Sequence, residues 1–311
     1  SIVAFGAPMV INGDFTSGAL VATVLLAGRL MQPIQKTLFL WTQFQEYRIA
    51  NNQAEKMFAI EQIERRQIDP KEYKEIGTVK LENVSFGYGG KLVFENINLD
   101  LKIPDTIGIR GDNNAGKATL MRLIAGILKP TDGRIFINGI PPSDYHSEEL
   151  VKYIGYISSN NVIFQGTILE NLTAFDETME HEALEIAKML NLDKEIALLP
   201  KGYDTKVTDG IADIIAPGIK QRVAIARALI HKPKIILFHN ADRGLDREGY
   251  NLLIKFLHLI NNQTTTIIVT EDHNINLLVN KEYLLKDGKL TEINPKDSRV
   301  YDLKPYKELK I

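Results

Sequence analysis

The sequence predicts an α/β fold, and two observations carry this prediction. An apolar strand at 106–110 runs into a glycine-bounded loop and then into a helix expected over 120–127. Further along, the buried-type β runs 235–238 and 266–269 are separated by a helix expected over 247–259. This alternation of strand and helix is typical of a parallel sheet covered by helices.

The glycine-bounded loop has the spacing of a phosphate-binding loop. Gly111, Gly116 and Lys117 stand at the fixed positions of a GxxxxGK motif. In such a loop, backbone N–H groups and a helix N-terminus hold a polyphosphate, and the lysine adds a positive charge. The motif ordinarily continues with Ser or Thr, which binds Mg²⁺, whereas Ala118 has no oxygen to offer. The loop therefore predicts phosphate binding without the usual magnesium contact.

Composition and charge limit the classes of function. The 311 residues are 44% apolar and 24% charged, which favours more than one structural segment. A net charge of -2 provides no basic field for nucleic acid, so no nucleic-acid partner is predicted. The absence of cysteine excludes disulfides, thiolate metal sites and a cysteine nucleophile. The apolar start has no basic region before it, which argues against a signal peptide.

Two apolar stretches, 1–11 and 18–28, begin the chain and are separated by a polar turn at 12–16. Neither reaches the roughly 20 apolar residues of a membrane span, so two buried helices of a soluble domain are an alternative. The helical pattern continues to about Asn51, however, which corresponds to about 54 Å of helix. The basic residues beyond the second stretch are Arg29, Lys36, Arg48 and Lys56. These features favour a membrane hairpin whose far end is cytoplasmic.

Further motifs follow the phosphate loop in a definite order. Residues 221–229, 232–238 and 244–246 resemble the signature helix, the Walker B strand and the D-loop of ABC transporter nucleotide-binding domains. The segments 81–88 and 166–171 resemble the same family in order and spacing. The resemblance implies a P-loop NTPase domain of the ABC type, with a mixed sheet and a helical subdomain, preceded by two α-helices of a membrane domain.

The N-terminal part extends the resemblance to an exporter half-transporter of the kind that secretes toxins or peptides. The implied segments are the last two helices of a truncated transmembrane domain at 1–50, a linker helix at 51–76, the nucleotide-binding domain at 77–295 and a C-terminal tail at 296–311. An intact exporter half would need about four more membrane helices, so we expect this chain to be a fragment or the product of a truncated gene.

The resemblance assigns nucleotide-binding roles by position. Tyr88 matches the aromatic residue that stacks on adenine, although packing against its strand neighbours would explain it equally well. Thr119 matches a threonine near the α-phosphate, and Asp246 is the D-loop aspartate. The predicted nucleotide-binding residues are Tyr88, Gly111, Asn113, Asn114, Ala115, Gly116, Lys117, Ala118 and Thr119.

The chain departs from the family where the chemistry takes place. Ser159 stands where a glutamine senses the metal and the attacking water. His239 and Asn240 replace the metal-binding aspartate and the catalytic glutamate of Walker B. Glu271 aligns with the switch histidine, and His273 could replace that histidine only if the loop shifts. No catalytic residue of the family is intact, and no metal site is predicted.

The signature is also altered. Its serine and glycine amides clamp the γ-phosphate of ATP held by the partner subunit, but the motif here is Ala216, Pro217 and Gly218. Proline removes one of these N–H donors, and Gly218 alone matches. In the family that the chain resembles, each ATP site combines the Walker motifs of one subunit with the signature of the other. Both of these contributions would therefore be altered in this chain.

These departures predict a pseudo-ATPase. Phosphoryl transfer depends on positioning and on cations that neutralise developing charge, so loss of both the metal ligands and the base should abolish it. We expect a degenerate ABC exporter subunit with residual ATP binding and a structural or regulatory role beside a catalytic partner. It would form a homo- or heterodimer with another half-transporter in the inner (plasma) membrane, with the nucleotide-binding domain in the cytoplasm.

Two alternatives remain from the sequence. One is a working ATPase in which His239 or Glu271 takes over a lost role; the other is a soluble scaffold of the same fold. Partitioning into detergent micelles would favour the membrane interpretation over the scaffold. If His239 contacts a bound nucleotide, affinity should rise as pH falls through about 6.5, the ordinary histidine pKa, without any need for Mg²⁺.

Overall fold

The computed structural model describes residues 2–58, 75–159, 162–207 and 215–293. These belong to two compact units, Ser1–Glu64 and Arg65–Ile311. The predicted tail 296–311 and most of the predicted linker 51–76 lie outside the described residues. The limits proposed for the four segments therefore stay predictions.

The first unit consists of two helices, α1 (Ile2–Ile11) and α2 (Ser17–Phe58), as the apolar pattern predicts. The side chain of Thr16 accepts a hydrogen bond from the backbone N–H of Ala19 at 3.2 Å and so starts α2. A Cβ atom on Gly6 would lie 2.2 Å from the terminal Cδ1 of Leu20, so glycine lets this leucine pack against α1.

The apolar side chains of this unit face outward. Leu25, Leu30, Leu38, Phe39 and Trp41 are each at least 60% exposed. Among the described residues, one helix, Ser17–Glu55, is long and apolar enough to cross a membrane by length and composition, and none of its apolar window is buried. Helix α1, with 10 residues, is shorter than a full span.

The second unit contains the predicted α/β domain. Its strands are β1 (Val79–Tyr88), β2 (Lys91–Leu101), β3 (Thr106–Arg110), β4 (Asp132–Ile137), β5 (Ile154–Ser158), β6 (Gly166–Thr167), β7 (Lys206–Val207), β8 (Ile235–His239), β9 (Thr265–Val269), β10 (Lys281–Lys286) and β11 (Lys289–Ile293). Its helices are α3 (Lys117–Ile124), α4 (Ser147–Tyr153), α5 (Ile168–Leu172), α6 (Glu180–Met189), α7 (Leu192–Ile196), α8 (Pro217–Leu229), α9 (Arg247–Ile260) and α10 (His273–Asn276).

The main sheet is mixed, as predicted. Its six strands are ordered β11-β10-β3-β9-β8-β5, and all neighbours are parallel except β10 and β11. A second, antiparallel sheet has the order β2-β1-β4. Since β9 lies between β3 and β8, the loops that follow these three strands meet at one edge of the sheet.

Two buried clusters support this arrangement. One joins the antiparallel sheet to α3 through residues such as Phe94, Leu120 and Met121, all with 0% exposure. The other joins the helices α5 to α9 to the strands β5, β8 and β9 and includes Val223 and Phe238. It holds together the helices α5 to α8 of the helical subdomain that the sequence predicts.

The bounds of one helix differ from the sequence-based expectation. Helix α3 begins at Lys117 rather than at 120, because the carbonyl of Gly116 accepts the first helical hydrogen bond, from Leu120 at 2.9 Å. It ends at Ile124 rather than at 127.

Candidate nucleotide-binding site

The phosphate loop connects β3 to α3 through positions that require unusual backbone geometry. Gly111 has φ 153°, and a Cβ atom there would lie 2.3 Å from the carbonyl oxygen of Leu285. Gly116 has φ 99°, and its Cβ would lie 2.7 Å from Val93. Asn114 has φ 69°, a conformation that asparagine tolerates better than most residues. Both glycines of the motif thus stand where a side chain would strain the backbone.

The N-terminus of α3 has no side-chain cap. The first N–H groups of a helix lack partners within that helix, so those of α3 can bind an anion. Ala115 closes the preceding turn by donating its N–H to the carbonyl of Asp112 at 3.1 Å. The other nucleotide-binding residues predicted in this loop and in the first turn of α3 are Asn113, Ala118 and Thr119.

The side chain of Lys117 folds back over its own loop. Its Nζ donates hydrogen bonds to the carbonyl oxygens of Gly111 and of Asp112, the latter at 2.9 Å. Burial lowers the pKa of Lys117, while the carboxylates of Glu271 and Asp112 act in the opposite direction. A phosphate that binds Lys117 would therefore have to replace the hydrogen bonds of its Nζ to these two carbonyl oxygens.

Three of the degenerate positions lie together beside this loop. His239 ends β8 and is partly buried, and Asn240 follows it with φ 50°. The N–H of Ser159 donates to the carbonyl of His239 at 3.1 Å, and the N–H of Asn240 donates to Val269 at 2.8 Å. The side-chain amide of Gln221 in α8 also connects the ends of β5 and β8, because it donates hydrogen bonds to the carbonyl oxygens of Ser158 at 3.1 Å and Ala241 at 2.9 Å.

The environment of His239 disfavours its charged form. Burial lowers its pKa below the ordinary value of 6.5, and the positive charges of Arg122, Lys117 and Arg243 act in the same direction. The expected transition at about 6.5 is therefore displaced to more acid pH in the unliganded chain.

A pH titration tests the contribution of His239. A bound anion favours the charged imidazole, so ATP affinity should rise toward acid pH and reach its plateau only below about 6.5, since the unliganded pKa is depressed. Calorimetric titrations from about pH 5.5 to 8 should show this rise in the wild type and a flatter profile in His239→Gln. The same profile in both chains would show that His239 does not contact the ligand.

One residue of the site, Arg243, is not among those predicted from the sequence. Its guanidinium forms an ion pair with Glu271, with Nη2 2.8 Å from Oε2. Arg243 follows β8 and Glu271 follows β9, so the pair joins two loops at the carboxyl edge of the sheet. The available signal was a cation four residues after the end of a buried strand, in the loop that begins with the altered Walker B residues.

The residues present do not fit a magnesium ion. The loop offers Ala118 where a hydroxyl is needed, and β8 ends in a histidine followed by an amide. Among the described residues, no group of three or more His, Asp or Glu side chains is placed to hold a metal. Mg²⁺ prefers several oxygen ligands, and this donor set does not supply them.

Tyr88 lies at the end of β1 and is 49% exposed. Its ring contacts Phe86 edge-on, with ring centroids 4.8 Å apart. The contact with a strand neighbour is thus present, and about half of the residue stays exposed. Its role stays a prediction.

The altered signature stands at the start of α8. Pro217 is the first helical residue, and the carbonyl of Ala216 accepts hydrogen bonds from Ile219 at 3.0 Å and Lys220 at 3.1 Å. A Cβ atom on Gly218 would lie 3.9 Å from the nearest atoms of Asp246. Asp246 in turn caps α9 by accepting the N–H of Gly249 at 2.7 Å. The signature and the D-loop are therefore adjacent within one chain.

The fold and the site together define the class of protein. Residues 94–242 match the family model described as "ABC transporter". Residues 94–242 therefore form a nucleotide-binding domain of the ABC type. The chain is also similar to a solved structure of a bacterial Atm1-family ABC exporter with ATP bound, with a TM-score of 0.67 and 25% sequence identity. The match covers 92% of this chain and 51% of the exporter chain.

Curated relatives point to exporters. The chain is 30% identical to the alpha-hemolysin translocation ATP-binding protein HlyB of Escherichia coli O157:H7, over 95% of this chain and 43% of the relative. It is 28% identical to the leukotoxin export ATP-binding protein LtxB of Aggregatibacter actinomycetemcomitans, over 95% of this chain and 43% of the relative. It is also 30% identical to ABC transporter B family member 29 of Arabidopsis thaliana, a chloroplastic protein, with 94% and 47% covered. The chain thus spans less than half the length of these relatives.

Proposed function

We propose that the chain is a degenerate ABC exporter subunit that keeps its phosphate loop and has lost ATP hydrolysis. The observation that carries this proposal is the composition of the sheet edge beside the loop. His239, Asn240 and Ser159 meet there, and none of them offers the carboxylate that would hold a metal or accept a proton from water.

Glu271 is a poor replacement for the missing base. Its carboxylate is paired with Arg243 at 2.8 Å, and both side chains are largely exposed. A general base must be free to contact the attacking water, whereas this carboxylate is engaged by the guanidinium of Arg243. The retained loop geometry supports residual ATP binding, and the altered ends of β5 and β8 argue against turnover.

The role that follows is structural or regulatory. Within a dimer, this chain would contribute to each ATP site either an altered phosphate-loop region or an altered signature. A catalytic partner half-transporter would therefore have to drive transport. The similarity to toxin-export proteins suggests a secretion system as the setting. A turnover assay on the full-length chain, with Lys117→Ala as background, tests the loss of hydrolysis.

We further propose that α2 anchors the chain in the plasma membrane, with the nucleotide-binding domain in the cytoplasm. The outward apolar side chains of α2 support this, because water disfavours so large an apolar surface. The full-length chain is expected to sediment with membranes, to resist extraction by alkaline carbonate and to require detergent. A monodisperse particle in plain buffer would instead indicate the soluble scaffold.

A further inference from the structure

The ion pair between Arg243 and Glu271 lies in loops beside the phosphate loop, where it can affect the binding of a nucleotide. Strand β9 lies between β3 and β8, so the loop that carries Glu271 stands next to both the phosphate loop and the loop that carries Arg243. The backbone of Arg243 is held by a hydrogen bond from its N–H to the carbonyl of Asn240 at 3.2 Å.

The charges at this edge of the sheet influence one another. The carboxylate of Glu271 acts on Lys117, whose pKa it raises against the effect of burial. The cations Lys117, Arg122 and Arg243 all act on His239 and lower its pKa. Glu271 and Asp112 are therefore the acids that act on a predominantly basic group beside the phosphate loop, and Glu271 is the one paired with Arg243.

We propose that Arg243 and Glu271 form a displaceable latch on the phosphate site, in which the phosphates of a nucleotide take the place of Glu271 on Arg243. Arg243 then supplies the positive charge that a divalent cation would otherwise supply, and Glu271 sets the affinity by competing with the ligand. This inference rests on the proposed function, since it assumes that the nucleotide phosphates occupy the loop at 111–117.

The physical properties of the pair suit such an exchange. The side chains of Arg243 and Glu271 are 55% and 76% exposed, and exposed ion pairs are weak enough to be replaced. Arginine binds phosphate through two parallel hydrogen bonds, and a polyphosphate carries more charge than one carboxylate. The missing magnesium ligands described above leave the basic side chains as the groups that can neutralise the ligand.

The test measures ATP binding by calorimetry on the full-length chain in detergent with EDTA. Glu271→Gln should raise the affinity about 5-fold, because it removes both the competitor and a like charge. Arg243→Gln should lower the affinity about 10-fold, since a charged hydrogen-bond donor is lost. In the double variant, the gain from Glu271→Gln should shrink, because no arginine remains to be released. Glu292→Gln, an exposed acid on β11, is the matched control and should have no effect.

Each outcome decides the matter. Binding by Glu271→Gln but not by the wild type would also support the latch, in a form that is closed at rest. Unchanged affinity in both single variants, with binding still lost in Lys117→Ala, would overturn the latch and leave the nucleotide-binding role intact. Absence of binding in every variant would overturn the latch together with residual nucleotide binding, whereas Mg²⁺-dependent turnover would contradict the loss of hydrolysis alone.

Discussion

ATP turnover by the purified full-length chain is expected to stay below about 10⁻² s⁻¹, roughly 10³-fold slower than a typical enzyme. A missing general base alone costs about 10²- to 10⁴-fold, and the loss of metal ligands adds to this. The positions responsible are Ala118, Ser159, His239 and Asn240.

The assay follows phosphate release in detergent with excess Mg²⁺, and its control is Lys117→Ala purified in the same way. The rates of the two chains should coincide, because any residual signal would come from contaminating ATPases. Mg²⁺-dependent turnover in the wild type that disappears in Lys117→Ala would show an active enzyme with unusual ligands.

Replacing Arg222 by Ala is expected to destabilise the nucleotide-binding domain by about 3 kcal/mol. This arginine of α8 is 1% exposed and forms an ion pair with Glu195 of α7. It also donates hydrogen bonds to the carbonyls of Leu190 at 3.2 Å and Gly218 at 3.3 Å. Its removal leaves a cavity and buried acceptors without their donor, which is costly.

Thermal unfolding measures this effect. A loss of about 3 kcal/mol should lower the midpoint by roughly 10 °C in a domain of this size. The matched control is Arg247→Ala, an exposed arginine at the start of α9, which should change the midpoint little. Equal midpoints for the two variants would mean that the Arg222 contacts do not stabilise the domain.

Much of the fold could be predicted because its signals are local. Short apolar runs mark β3, β8 and β9, and the glycine spacing marks the loop between β3 and α3. The mixed sheet and the helical subdomain followed from the resemblance to ABC transporters, which the comparisons support. The start of α3 was placed three residues late, because Lys117, Ala118 and Thr119 were assigned to the loop motif rather than to its first helical turn.

The latch could not be predicted, because it depends on which strands are neighbours. Arg243 and Glu271 are 28 residues apart in sequence and meet only because β8 lies beside β9. The depressed pKa of His239 was missed for a similar reason, since it comes from burial and from the charges of Arg122 and Lys117 on another element. Composition reveals which charges the chain has, but the sheet order decides which of them interact.

One calorimetric experiment tests the central claim most directly: titration of ATP into the full-length chain, first in EDTA and then in Mg²⁺, with Lys117→Ala beside it. Our account predicts binding in EDTA at least as tight as in Mg²⁺, because the basic site prefers the more highly charged free nucleotide, and loss of binding in Lys117→Ala. Binding that requires Mg²⁺, or that persists in Lys117→Ala, would contradict it.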